Sequence, residues 1–153
     1  MASTTATVWG QVATQLANIN GAGVYTTDIS GTGKVSQGRY TSPPVTPPCA
    51  VVWVDSVETA QHVELGVYRR EFNMTIVGWV EATSDDELTL TTAAMDLMDD
   101  IMRAIEADRS LGGSVYDVIM SATSFAGAAP ETGATYGIVV VSLEAYVAME
   151  TGA

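Results

Sequence analysis

The sequence predicts an α/β fold of the α+β type: a mixed, mostly antiparallel sheet with two helices packed on one face and a protruding β-hairpin arm. Three observations predict it. Residues 5–19 and 84–106 repeat their apolar side chains at helical spacing. Residues 71–80 and 136–147 carry the alternation or the β-branched density of strands. Between the first helix and the first strand, residues 24–48 are dominated by Gly, Thr, Ser and Pro.

The elements run helix, hairpin, strand, strand, long helix, strand, strand. In residues 5–19, Val8, Val12, Leu16 and Ile19 share one side, Trp9 flanks them, and Gln11, Thr14 and Asn18 lie opposite. Gly21 and Gly23 then stop the helix. The β-prone runs 24–27 and 34–37 bracket Ser30-Gly31-Thr32-Gly33, which reads as a hairpin arm at 23–40 with little apolar content of its own. On that reading, deleting residues 24–40 leaves a folded subunit that assembles poorly. The run 43–48, with four prolines, is a stiff extended connector.

Residues 50–54 form a short continuous apolar run, as a buried strand shows. In 71–80, Phe72, Met74, Ile76 and Val80 face one way and Glu71, Asn73 and Thr75 the other, while Gly78 marks a bulge or a close backbone approach. Ser84-Asp85-Asp86-Glu87 has the spacing of a capping box for the second helix. Its apolar arc runs from Leu90 through Leu97 and Ile101 to Ile105, wider than one sheet contact needs. Leu111-Gly112-Gly113 ends this unit. A strand weakened by small residues follows at 115–125, then a break at 126–135 and the last strand.

At 153 residues and 47% hydrophobic, the chain is expected to fold as one domain over residues 1–153. Neither a signal-type leader nor a membrane-length apolar run is present in the sequence, so it is expected to stay soluble where it is made, with no membrane partner. Eighteen acidic against six basic residues give a net charge of −12, which disfavours binding to a phosphate backbone. Copies so charged must meet through apolar or locally complementary contacts.

No catalytic, cofactor-binding or metal-binding residue is assigned. Asp96, Asp99 and Asp100 gather on one helical face as a hard cation requires, but Arg103 stands one turn on, and a solvated, salt-bridged face accounts for all four. His62 is the single histidine and lies in no nucleophile motif. Cys49 is the single cysteine, read as an inert loop or core thiol. Gly31-Thr32-Gly33-Lys34 lacks the first glycine of a phosphate loop and has Val35 where a hydroxyl is needed. Arg69-Arg70 faces either an acidic surface of a neighbouring subunit or local carboxylates such as Glu71. Met95, Met98 and Met102 extend the apolar arc towards the first helix or a subunit interface.

One resemblance spans nearly the whole chain. It is carried by the amphipathic first helix, the Gly-Val-Tyr arm at 23–40, the Pro-rich connector and Arg69-Arg70-Glu71-Phe72-Asn73-Met74-Thr75-Ile76. It continues through Ile105-Glu106-Ala107-Asp108-Arg109-Ser110-Leu111-Gly112-Gly113, Val115-Tyr116-Asp117-Val118 and the final strand. In this order the chain resembles the tail terminator (tail completion) proteins of long-tailed bacteriophages.

The resemblance implies a non-enzymatic virion protein of the tail or neck region, assembled in the host cytoplasm. It would form a hexameric ring that caps the tail tube, stops its growth and presents a surface for head attachment. Its partners would be copies of itself, the tail tube protein and the head–tail connector protein, with DNA passing through unbound and no cofactor. The residues expected at subunit or partner contacts are Val24, Tyr25, Lys34, Arg39, Tyr40, Arg69, Arg70, Met98 and Met102. Rival readings are a head–tail connector or stopper, a carboxylate-based metal-dependent hydrolase and a small-ligand-binding module.

Overall fold

The structure is a computed structural model and describes residues 4–64, 67–81, 86–128 and 134–150. Along the chain come α1 (Thr4–Leu16), β1 (Val35–Gln37), β2 (Cys49–Glu64), β3 (Val67–Val80), α2 (Glu87–Glu106), β4 (Asp117–Ala128) and β5 (Thr135–Glu150). The strands make one sheet of order β1-β2-β3-β5-β4. Every neighbouring pair is antiparallel except β1 with β2. This is the α+β architecture expected from the sequence, without the protruding hairpin.

Both helices cover one face of the sheet. Val8, Val12 and Leu16 of α1 recur every fourth residue and meet Leu97, Ile101, Ala104 and Ile105 of α2 in a single apolar cluster. The sheet supplies Ala50, Val52, Phe72, Met74, Ile76, Val139, Val141 and Leu143 to the same cluster, alternate positions that a pleated strand points one way. A second cluster of Cys49, Val51, Val77, Trp79 and Tyr136 sits on the helix-free face at one end of the sheet.

Helix α1 ends at Leu16, three residues before the expected Ile19. The amides of Asn18 and Ile19 reach only three residues back, to Gln15 and Leu16 carbonyls, so the last turn tightens and closes. Ile19 keeps its expected place in the core all the same. Helix α2 is capped by Asp86, whose carboxylate accepts from the Thr89 amide at 3.1 Å. That replaces the expected Ser84 box; Ser84 and Asp85 lie outside the described residues.

Strand β2 runs far beyond the expected residue 54, to Glu64. Its second half forms a long ladder with β3, with register shifts between Val54 and Ser56 and again near His62. Val57, Glu58 and Thr59 are exposed, so no wet and dry alternation marks this half in the sequence. Gly78 is no bulge, since its pairing with Ala50 and Val139 is regular. It is a close approach: a Cβ there would lie 2.7 Å from Cδ2 of Leu97.

The expected arm is the clearest correction. Residues 24–27 form no strand, and β1 pairs in parallel with β2, Val35 opposite Ala50. Ile29 is fully buried, and Tyr25 and Val35 pack against the main cluster. Deletion of residues 24–40 would therefore remove core, contrary to the expectation of a dispensable finger. Among the described residues, no helix is long and apolar enough to cross a membrane.

Candidate assembly surfaces

Eight of the nine expected contact residues fall into three places, and Arg70 stands apart from them. The first is the top of α2, where the 24–28 turn lies over the helix. Asp100, 1% exposed, accepts the amide of Thr26 on both carboxylate oxygens (3.1 and 3.0 Å) and that of Thr27 at 2.7 Å. Three residues on, Arg103 donates to the Val24 carbonyl at 2.6 Å. The expected solvated salt-bridge face is thus corrected: Asp100 and Arg103 clamp a loop instead of each other, because main-chain groups without strand partners need them more. Asp99 is exposed, and Asp96 lines a groove of about 330 Å³ together with Asp28 and Glu81. No group of three or more His, Cys, Asp or Glu among the described residues is placed to hold a metal.

In the turn over the helix Val24 is exposed and Tyr25 half-buried, while on α2 itself Met98 packs against the core and Met102 is half-buried. Met95 is the methionine left largely exposed, at 49%.

The second place is the β1 edge. Lys34 donates Nζ to the Thr46 carbonyl at 2.6 Å, which ties the segment after Gly33 to the proline connector. Arg39 lies 3.4 Å from Asp55 Oδ1 and stacks over Trp53 at 5.2 Å. Asp55 also accepts from Trp53 Nε1 at 2.8 Å and Thr75 Oγ1 at 2.6 Å. Tyr40 is exposed beside Gly38. These contacts order the edge without closing it.

The third is the helix-free face. Arg69 pairs with Glu71 at 2.8 Å and lies 3.9 Å over the ring of Tyr146, whose hydroxyl donates to Glu144 at 2.6 Å. The Glu144 carboxylate raises the Tyr146 phenol above its ordinary value, because the hydrogen bond favours the protonated form. Of the two readings of Arg69, the structure shows the local carboxylate. Arg70, the next residue, alternates to the helix side, where its β5 partner Val147 packs against the main cluster, and is half-buried.

Sequence reasoning missed the partner side of this face. Strand β4 carries Ile119 at 55% and Phe125 at 44% exposure, and Tyr116 just before it is 75% exposed. Ile119 and Phe125 share a face by strand alternation, but Ser121 and Thr123 stand between them on it and hid the signal. The turn before β4 is tied down by Asp108, which accepts from the Ser110 and Gly112 amides at 3.1 and 2.8 Å. From that turn Arg109 pairs with Asp117 at 2.6 Å and donates to the Val118 carbonyl.

Cys49 opens β2 and is fully buried, a core thiol and not a loop one. Burial pushes its pKa up to about 11, against an ordinary value of about 9, with a 3.7 Å contact to the Val45 carbonyl pulling weakly the other way. At pH 8 that cuts the thiolate about 100-fold. Iodoacetamide should alkylate the folded protein at least that much more slowly than the urea-unfolded chain, and equal rates would show the thiol to be open. His62 pairs with Tyr68 in the β2–β3 ladder; its side chain lies outside the described residues. No protein-family model matches this chain, and no curated protein sequence matches it.

Proposed function

We propose that the chain is a ring-forming structural subunit of the tail-terminator kind, which caps a phage tail tube and offers a surface for head attachment. The observation that carries this reading is β4. It is an edge strand of 12 residues with no Lys, Arg or Pro, it displays Ile119 and Phe125, and its only charge is Asp117 at the start. Proteins that stay single blunt such an edge with charge, proline or brevity. An exposed apolar edge on a chain of net charge −12 marks where copies or partners can come together despite their repulsion.

The test is capping. Purified protein added to preformed tail tubes and free tube subunits should appear by negative stain as a ring on one tube end, and elongation from that end should stop. Tubes that keep growing and carry no ring overturn the reading. A ring found on portal complexes and never on tubes assigns the chain to the head–tail connectors instead.

A further inference from the structure

Along an extended strand, the amide and carbonyl of one residue point to the same side and the side alternates. In β4 the Val118 carbonyl accepts from the Arg109 guanidinium, so Val118 faces away from β5. By alternation Met120, Ala122 and Ser124 face the same way. No bond from a described residue falls on their outward groups. Arg109 fills the first rung of this ladder and leaves the next ones open.

The opposite edge shows a matching set. The Ala50 amide donates to the Lys34 carbonyl, and the Gly38 amide donates to the Val52 carbonyl. Lys34, Ser36 and Gly38 therefore face β2, and Val35 and Gln37 face outward. Following strand sense through β4–β5, β5–β3, β3–β2 and β2–β1 makes β4 antiparallel to β1. Two copies set side by side, helices on the same side, would bring these edges together as an antiparallel ladder. Charge agrees with this docking. Residues 118–128 and 35–37 carry no charge, and Lys34 and Arg39, two of six basic residues in an acidic chain, flank β1.

We infer that the outward rungs of β4 in one copy pair with β1 of the next, head to tail, and so join the subunit sheets. The inference rests on the ring reading above and names its contact. Because the two edges lie at opposite ends of the sheet, the interface is heterologous and repeats until it closes.

The experiment uses the full chain. Proline is tolerated where an edge amide points outward, so Ala122→Pro and Gln37→Pro each remove one outward donor. Sedimentation velocity should show the wild type as a closed oligomer and each variant as a monomer that still melts cooperatively. An equimolar mixture of the two should stop at dimers, since each retains one intact edge. Assembly of Ala122→Pro like wild type overturns the inference and leaves the ring reading standing. Wild-type assembly by Gln37→Pro also overturns it, in favour of β4 pairing with β4. A wild type that stays monomeric even beside tube ends sinks both. If a proline variant fails to fold, amide exchange on the wild type decides. The amides of Met120, Ala122 and Ser124 should slow at least tenfold on assembly, and unchanged rates overturn the pairing.

Discussion

Asp100→Ala should cost the fold about 3 kcal/mol, read as a lowered urea midpoint with an unchanged slope. The carboxylate is buried at 1% exposure and takes two main-chain amides at 2.7 to 3.1 Å. Bonds to an ionised acceptor are worth more than neutral ones, and the two amides would be left without their acceptor. Asp100→Asn keeps one carbonyl oxygen and should lose about half as much. The Arg103 bond to the Val24 carbonyl would still hold the turn, so the double change Asp100→Ala with Arg103→Ala should free residues 24–28 to proteolysis. A double variant as resistant as wild type would show that Tyr25 and Ile29 alone seat the loop.

Gly137→Ala should be costlier than the same change at Gly78 or Gly127, the other described strand glycines. A Cβ at Gly137 would lie 2.4 Å from the Leu90 carbonyl oxygen, 2.6 Å from Val80 Cγ2 and 3.1 Å from Ala94 Cβ. The first is helix backbone and cannot swing aside, so α2 would have to lift from β5, at about 3 kcal/mol. Gly78→Ala offers the contrast. Its nearest neighbours are side-chain atoms of Leu97 and Ile101, which can change rotamer, and about 1 kcal/mol is expected. Thermal or urea unfolding of the pair would check the order. A Gly137→Ala protein as stable as Gly78→Ala would mean that the helix is free to rise.

These two glycines show what a sequence can display. Helices α1 and α2 and much of strands β3 and β5 have one wetter and one dry face, the end at Val77, Trp79 and Tyr136 being buried on both, so their periodicity is visible in single letters. That is why Val8, Val12, Leu97, Phe72 and Ile76 fell where expected. From Asp55 to Thr59 strand β2 is exposed apart from half-buried Ser56, which erased the signal there, and the strand runs ten residues past the expected end. The turn at residues 24–27 is held by a carboxylate and a guanidinium reaching from α2, and such distant contacts leave no local pattern. Asp100 therefore read as surface charge when it is an anchor. Among the contact residues, the Arg69–Glu71 pair was legible two positions apart. Tyr146 beneath it is far along the chain and was not.

The place of β5 between β3 and β4 has a consequence for synthesis on the ribosome. All fourteen β3 residues pair with β5, and β4 enters the sheet only through it. Until β5 emerges, the β2–β3 hairpin has one side without its neighbour and β4 has no strand to join. Closing the sheet then requires contacts across more than fifty residues, a slow step during which both α2 and the uncompleted hairpin expose apolar surface. The chain is thus committed to folding late, after translation has passed β5, and a holdase in the cell that makes it has its best target in that interval.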